Sequence, residues 1–330
     1  MRLNGEEYLG LLIKQANPNA TQIEIGAVAM EQVQNLGAAV GMFTEHIQKS
    51  NLVGQADTDL ALSMTDFAAK HGFSIYLEAL QPFALGYGYA YFDKIPAASV
   101  MKLIVSATEQ RSRYPFVGFP CGTQSLAEGM AATLEDIRLS APVTKVEKLD
   151  NGLEVQADGQ PTETYDKVIF ATTLDLVRSM MTLAPEVDEL FSTLFTLRYF
   201  TTVCKQEGIT ITNTLDFYAA GTYEANQNSI ALIAWTANPT EVATTVYQFA
   251  SPDASLSDLS DRMMAELQSF WGANVTEIIL QREWTNYYSQ VSVDDFAAGF
   301  FDQVDALQGE DGIYYVGSQF SFETLSATIF

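Results

Sequence analysis

Very few side chains in this sequence are of the kinds that carry polar catalysis, and their spacing narrows the chemistry further. The two histidines, His46 and His71, are too few and too far apart to build a zinc site or a Ser-His-Asp triad. Both lie in helix-like surroundings and read as surface or boundary histidines. Cys121 and Cys204 form no CxxC pair; a disulfide between them stays open, and two reduced, half-buried thiols are the preferred reading. Ser125 and Ser318 have no histidine in a supporting context, which leaves hydrolysis weakly supported. What remains are strand-like runs that end in small residues: Val168-Ile169-Phe170 before Ala171-Thr172, and Tyr314-Tyr315-Val316 before Gly317-Ser318. Small residues at a strand end let a bound molecule approach the main chain. They also serve tight turns and close packing; the ligand reading is preferred at Gly317-Ser318, and at Gly26 the two are even.

The elements that must hold these residues follow from periodicity and turn chemistry. Tyr8 to Lys14 reads as a short helix, Gln22 to Ala27 as a strand, and Glu31 to Gly41 as a helix. Residues 58 to 113 read as mostly helical, with Leu60, Leu62, Met64, Phe67 and Ala68 in one stretch and Ser99 to Glu109 in another. Between them, Phe83 to Phe92 is dense in aromatics and glycines, as in a loop or short helix packed into a core or lining a pocket. The turn Phe119 to Ser125 leads into a helix, Leu126 to Leu134, then a strand, Ile137 to Leu139. Asp150-Asn151-Gly152, flanked by alternating apolar residues, predicts a hairpin between Pro142 to Glu147 and Leu153 to Ala157. Tyr165 to Thr173 reads as a buried strand followed by a helix near Leu174. Phe200 to Cys204, Ser229 to Thr236, Ala243 to Phe249 and Glu277 to Trp284 read as strands, with a helix over Leu256 to Trp271. This interleaving, without repeats or low-complexity linkers, predicts an α/β or mixed α+β layered fold.

Composition sets outer limits. Of 330 residues, 48% are apolar and 18% charged, which suits a globular chain with a full core. The formal net charge of -24 leaves no basic surface to neutralise nucleic-acid phosphates or anionic lipid. No run reaches the about 18 apolar residues of a membrane span, and Met1 to Glu7 contains no apolar signal region. The sequons at Asn19 and Asn274 are too short a pattern to place the protein in a compartment. Compartment and oligomeric state are not legible.

Three segments, in order, resemble the flavin amine oxidase superfamily, which includes monoamine oxidases, polyamine oxidases and protoporphyrinogen oxidase. The first is Gly122-Thr123-Gln124-Ser125-Leu126, running on to Ile137-Arg138-Leu139 and Pro142-Val143-Thr144-Lys145-Val146; it resembles the family's G-x-Q-x-L helix and the strand after it. The second, Asp166-Lys167-Val168-Ile169-Phe170-Ala171-Thr172-Thr173, is similar to D-x-V-I-x-A-x-P, with Thr173 in place of the proline. The third, Tyr314-Tyr315-Val316-Gly317-Ser318 leading to Phe322-Glu323-Thr324-Leu325, resembles the closing Y-x-A-G-x strand and its helix start. The resemblance implies a mixed α/β fold: the remnant of an FAD-binding Rossmann-like domain (1–57, 115–180, 285–330) interleaved with a mixed-sheet, helix-covered substrate domain (58–114, 181–284). It also implies FAD as cofactor, met by Gly26, Ala27, Val143, Ala171, Thr172, Gly317, Ser318, Glu323, Thr324 and Leu325. In dinucleotide folds ligands sit at the carboxyl ends of parallel strands, and a helix starting near Glu323 would aim its N–H groups and positive end at an electron-rich flavin edge.

The same resemblance implies hydride transfer from a C–H beside nitrogen, or a similarly activated carbon, of a small-molecule substrate to the flavin. Tyr199, Phe217, Tyr218, Trp235, Trp284 and Tyr287 are candidates for the substrate wall, Trp235, Trp284 and Tyr287 foremost, although ordinary core packing accounts equally for each alone. No general base is singled out, and no metal ligands are expected. The family's G-x-G-x-x-G does not occur: Gly86-Tyr87-Gly88 is a lone pair in an aromatic segment, and R-x-G-G-R is absent too. Without them, a chain of charge -24 has few cations to spare for a pyrophosphate. Weak FAD binding, poor folding with an exposed sheet edge, or both, are then expected. A truncated flavoprotein and a degenerate relative acting as a non-catalytic binding protein both fit this pattern.

Overall fold

In the computed structural model, which describes residues 5–48, 51–113, 122, 124–209, 215–217, 227–235, 243–285 and 287–320, the chain opens with helices α1 (Gly5–Ala16) and α2 (Gln22–Met42). The strand expected over Gln22 to Ala27 is the first turn and a half of α2. Its alternating Ile23 and Ile25 mimic a strand, but a capping box decides otherwise. Thr21 Oγ1 accepts from the Glu24 N–H at 3.3 Å, and the Glu24 carboxylate accepts from the Thr21 N–H at 2.7 Å. The buried positions Ile25, Leu36 and Ala39 then fall on one helical face.

Five helices complete the first half: α3 (Thr44–Ile47), α4 (Met64–His71), α5 (Ser74–Gly86), α6 (Ala97–Arg113) and α7 (Gln124–Ala131). Helix α4 stops at Gly72, whose left-handed φ of 76° suits glycine. The Gly72 carbonyl takes bonds from Gln32 Nε2 at 3.0 Å and Asn35 Nδ2 at 2.9 Å, while Gln32 Oε1 accepts from the N–H of Ile75 at 3.1 Å. Two side chains of α2 therefore hold the α4–α5 corner.

Beyond α7, Ile137 to Leu139 forms no strand; Leu139 is 81% exposed and has no pairing partner. The hairpin is present. Strands β1 (Val143–Leu149) and β2 (Gly152–Ala157) pair antiparallel through Leu149 and Gly152, and β3 (Glu163–Tyr165) adds to β2. A Cβ on Gly152 would lie 2.7 Å from the Tyr165 carbonyl oxygen, so the hairpin needs glycine there. Strand β4 (Val168–Phe170) follows, then α8 (Leu174–Met180) and α9 (Pro185–Ser192).

A five-stranded antiparallel sheet comes next, built from β5 (Arg198–Glu207), β6 (Leu215–Phe217), β7 (Ile230–Trp235), β8 (Ala243–Ala250) and β9 (Asn274–Trp284) in the order β6-β7-β8-β5-β9. Helix α10 (Leu256–Glu266) and a π-helical turn, Leu267–Trp271, lie between β8 and β9 in the chain. Helices α11 (Val293–Ala297) and α12 (Phe300–Ala306) lead to β10 (Ile313–Tyr315), which pairs parallel with β4. On β10 the side chain of Gln308 stands where a neighbouring strand would: Nε2 donates to the Tyr315 carbonyl and Oε1 accepts from the Tyr315 N–H, each at 2.9 Å.

The largest apolar core joins α2 to α6 with β4, α8, α9, α12 and β10, through residues such as Phe67, Phe92, Phe170, Phe191, Phe300 and Tyr315. Helices and sheets thus form the mixed α/β fold expected. Among the described residues no helix is long and apolar enough to cross a membrane.

Lys102, on α6, is 4% exposed; its Nζ donates to the Asn51 carbonyl at 2.9 Å, and burial pushes its ammonium down to about 8. The folded chain therefore binds this proton less well than the unfolded chain. The penalty is complete below about pH 8 and disappears as pH climbs toward the unfolded value of about 10.4. Lys102→Met should accordingly gain roughly 2–3 kcal/mol at pH 7, less about 1 for the lost hydrogen bond. Urea unfolding should show that gain shrinking between pH 8 and 10; a pH-independent difference contradicts it.

Candidate functional site

The register of β4 on β10 sets Val168 beside Ile313, Ile169 beside Tyr314 and Phe170 beside Tyr315. Because the strands are parallel, their carboxyl ends emerge on the same side, and the Val316 N–H donates to the Phe170 carbonyl at 2.9 Å. Ala171-Thr172 and Gly317-Ser318 are therefore neighbours, and Gln319 Nε2 reaches the Thr172 carbonyl at 3.3 Å. Gly317 has φ 147°, and a Cβ there would meet nothing nearer than Gln319 Nε2 at 3.8 Å, so the space above it is open. Three buried polar atoms beside these ends, Thr173 Oγ1, Asp175 Oδ1 and Gln319 Oε1, have no hydrogen-bond partner. Orphaned polar atoms in such a place are open to a hydrogen bond from a bound group or from water. The strand ends thus fit a group that approaches the main chain closely and accepts or donates hydrogen bonds.

The other positions expected to meet the cofactor lie elsewhere in the fold. Gly26 and Ala27 lie on the solvent side of α2, which packs on α1, α3, α4 and α5, and a Cβ on Gly26 would meet nothing within 4 Å. Val143 begins β1, exposed, in a different sheet. Glu323, Thr324 and Leu325 lie outside the described residues, as do Cys121 and Tyr218.

The five-stranded sheet has two unlike faces. On one, Phe200, Thr202, Cys204, Thr244, Val246 and Trp235 are buried. Cys204, Val246 and Trp235 share a cluster with Met263 and Leu267, on α10 and the turn after it. Cys204 is a free thiol that burial pushes up to about 11, which makes it an inert core residue. Trp235 donates Nε1 to Asp216 at 2.6 Å on this covered face, so it does not share a wall with Tyr287.

The opposite face is aromatic. The Tyr199 ring stacks on Tyr287 with centroids 4.8 Å apart and planes 13° apart, and on Tyr247 at 5.9 Å and 24°. Trp284 pairs with Tyr199 across β9 and β5; its Nε1 donates to Thr201 Oγ1 at 2.7 Å, and the Arg282 guanidinium lies 4.3 Å above its ring. Tyr199 donates its hydroxyl to the Gly86 carbonyl at 2.6 Å, and Tyr287 donates to the Tyr87 carbonyl at 3.4 Å. Gly88, with φ 93°, lies directly under Tyr287: a Cβ there would be 2.2 Å from its ring. Burial, and secondarily the Tyr87 phenol, hold the Tyr247 hydroxyl above its usual range. Along β5 this face opens by steps, from buried Tyr199 through half-buried Thr201 and Val203 to exposed Lys205. Tyr199, Trp284 and Tyr287 are thus brought together as their types suggested, and Phe217, on β6, pairs with Leu232. Tyr87, Gly88 and Tyr247 were not singled out; the aromatic and glycine density of Phe83 to Phe92 was the signal for the first two.

A separate cleft of about 630 Å³ opens between β1, the α8–α9 region and β10, lined in part by Lys145, Lys148, Arg178, Met181 and Tyr315. Its cations are already committed, Lys145 to Glu147, Lys148 to Asp311 and Arg178 to Asp188, so its size alone does not make it the reaction site. His71 packs on Phe67 with Nε2 3.2 Å from Asp59, a structural role. Among the described residues no group of three or more ligand-type side chains could hold a metal ion.

The family described as flavin containing amine oxidoreductase matches residues 13–206, more than half of the chain, and this protein belongs to it. FAD is the cofactor that membership implies. No curated protein matches the chain in sequence. Among solved structures, a CLA-producing fatty acid isomerase from P. acnes superposes with a TM-score of 0.81 at 21% identity, covering 92% of this chain and 72% of its own. A putrescine oxidase bound to putrescine gives 0.63 at 15% identity, covering 91% and 73%, and cyclohexylamine oxidase from Brevibacterium oxydans IH-35A gives 0.56 at 12%, covering 88% and 70%. At these identities the likeness is one of fold.

Two glycines separate helix from site. Gly26→Ala should stabilise the chain by about 0.5–1 kcal/mol, as at an exposed mid-helix position. Gly88→Ala should destabilise it by more than about 2 kcal/mol, through left-handed strain and displacement of Tyr287, and should alter the near-UV circular dichroism of the stacked tyrosines. Equal effects at both positions would contradict this assignment.

Proposed function

We propose that the chain is an FAD-dependent oxidoreductase of the amine-oxidase type, which removes hydride from a carbon beside nitrogen or a similarly activated carbon of a small molecule. The observation that carries this reading is the pair of small-residue strand ends, Ala171-Thr172 and Gly317-Ser318, set side by side next to three orphaned polar atoms. In this reading the main chain at those four residues meets the flavin, and Thr173 and Gln319 supply polar contacts. When bound, the flavin provides the hydride acceptor. No G-x-G-x-x-G occurs in the 330 residues, so affinity rests on the strand ends and is modest.

The residues of this chain do the rest. Tyr199, Tyr287 and Tyr247 form a stacked wall that orients a substrate body and keeps water from it. Their ring faces favour a cationic or alkyl group adjacent to the reacting carbon. The chemistry asks for no protein base, and no side chain is assigned as one. The fatty acid isomerase and the two amine oxidases named above show that related folds serve substrates of opposite charge. The Arg282 guanidinium already occupies the Trp284 ring, which leaves the tyrosine faces for the substrate's cationic or alkyl group.

Adding FAD to the purified chain, desalting, and reading flavin absorbance and fluorescence should show retained cofactor. Gly317→Val should weaken binding by about tenfold or more, roughly 1.4 kcal/mol, with unchanged far-UV circular dichroism, whereas Gly26→Val should bind as wild type. Anaerobic addition of a panel of primary and secondary amines should bleach the loaded protein. The proposal fails if no FAD is retained at millimolar concentration, or if Gly317→Val binds it as tightly as wild type.

A further inference from the structure

Strand β9 is the outer member of the five-stranded sheet, and among the described residues its far edge pairs with nothing. It is long, running from Asn274 to Trp284, and carries three consecutive aliphatic residues in the open: Ile278 is 39% exposed, Ile279 48% and Leu280 52%. Edge strands normally carry lysine, proline or an inward charge at their centre to prevent pairing. The centre of β9, Ile278-Ile279-Leu280-Gln281, has none of these, and its charges, Glu277, Arg282 and Glu283, flank it.

We propose that β9 is the contact between two copies of this chain, paired antiparallel about a two-fold axis normal to the sheet. The charges select a register. With Ile279 opposite Leu280 of the second copy, Glu277 falls opposite Arg282 of the second copy, and symmetry makes that pair twice. Sliding one residue in one direction sets Glu277 level with Glu283 of the second copy, but Glu283 lies opposite Phe200, on the other face, so the pleat excludes that register. Sliding the other way leaves Glu277 opposite Gln281 and Arg282 opposite Thr276, with no ion pair.

The favoured register also satisfies the pleat. In register Glu277 lies opposite Lys205, whose Nζ it already holds at 2.7 Å and would share with the second copy's Arg282, and Arg282 lies opposite Thr201; Lys205 and Thr201 alternate onto the same face of β5. Glu277 and Arg282 are five positions apart and would ordinarily face opposite ways. A bulge brings them to one face: Val203 opposes Leu280 and Cys204 opposes Ile278, so Ile279 is the extra residue. A two-fold axis normal to the sheet keeps each face continuous, so both ion pairs form on the face that carries Trp284. The apolar centre supplies the desolvated contact, and the main chain of β9 supplies the hydrogen bonds of an isologous strand pair.

Sedimentation velocity on the full chain, in about 0.3 M salt to screen repulsion between two chains of charge -24, tests this. Wild type should show a concentration-dependent dimer below about 50 µM, in the usual affinity range of specific contacts. Leu280→Lys should be monomeric there, with Leu280→Ser replacing it if the lysine variant fails to fold by circular dichroism. Glu277→Arg and Arg282→Glu should each weaken the dimer about tenfold or more, and the double variant should restore it. A wild-type monomer, a dimer indifferent to Leu280 substitution, or a double variant as weak as the singles overturns the proposal.

Discussion

The parallel pairing of Val168–Phe170 with Ile313–Tyr315 is the contact on which the candidate cofactor site depends, because it alone sets two distant small-residue segments side by side. Three-residue parallel strands are marginal in themselves. This pair is held by what surrounds it. Phe170 and Tyr315 stack at 5.9 Å, Phe191 packs edge-on against Tyr315 at 5.3 Å, and Ile313 is buried. The Gln308 amide completes both main-chain bonds of Tyr315, as a third strand would. Gly312 is required on the approach, since a Cβ there would lie 2.6 Å from the Asp166 carbonyl oxygen. The strand ends are thus positioned by aromatic burial and one side-chain amide, in place of a wide parallel sheet.

The five-stranded sheet divides its labour by side. Beneath α10 the amide nitrogens of its buried glutamines are bonded, though their Oε1 atoms have no partner: Gln206 Nε2 donates to Thr244 Oγ1 at 3.2 Å, and Gln248 Nε2 donates to the carbonyls of Asn228 at 2.7 Å and Leu259 at 3.1 Å. Glu266, also buried, accepts from the Ile230 N–H at 2.8 Å and from Arg262 at 2.6 Å. Such bonds fix register on the covered side, because any slip strands a buried polar group. That leaves the aromatic side free to remain half open.

Much of this was legible in the chain. Asn151-Gly152 announced its hairpin because the turn demands that chemistry, and the runs Phe200 to Cys204, Ser229 to Thr236, Ala243 to Phe249 and Glu277 to Trp284 fall on the strands at 198–207, 230–235, 243–250 and 274–284. The strand ends at Ala171 and Gly317 were legible as types, and the structure sets them together. Gln22 to Ala27 misled because period two over six residues is short, and a capping box three residues wide outweighed it. Ile137 to Leu139 misled because, among the described residues, no strand lies beside it to pair with. Trp235 and Tyr287 look alike as aromatics; one residue of register decides which face a strand side chain takes, and pairing partners are not written locally. Tyr247 joins Tyr199 from a separate strand, β8, so no local pattern announces it.

The stepwise exposure along β5 gives the aromatic face a direction. Tyr287 lying on Gly88 closes one end, and the sheet surface opens toward Lys205, four residues beyond Thr201. At about 3.3 Å per residue, that run is on the order of 13 Å. On the proposed reading, a slender molecule laid along this face would have its leading group against the stacked rings and its tail toward solvent.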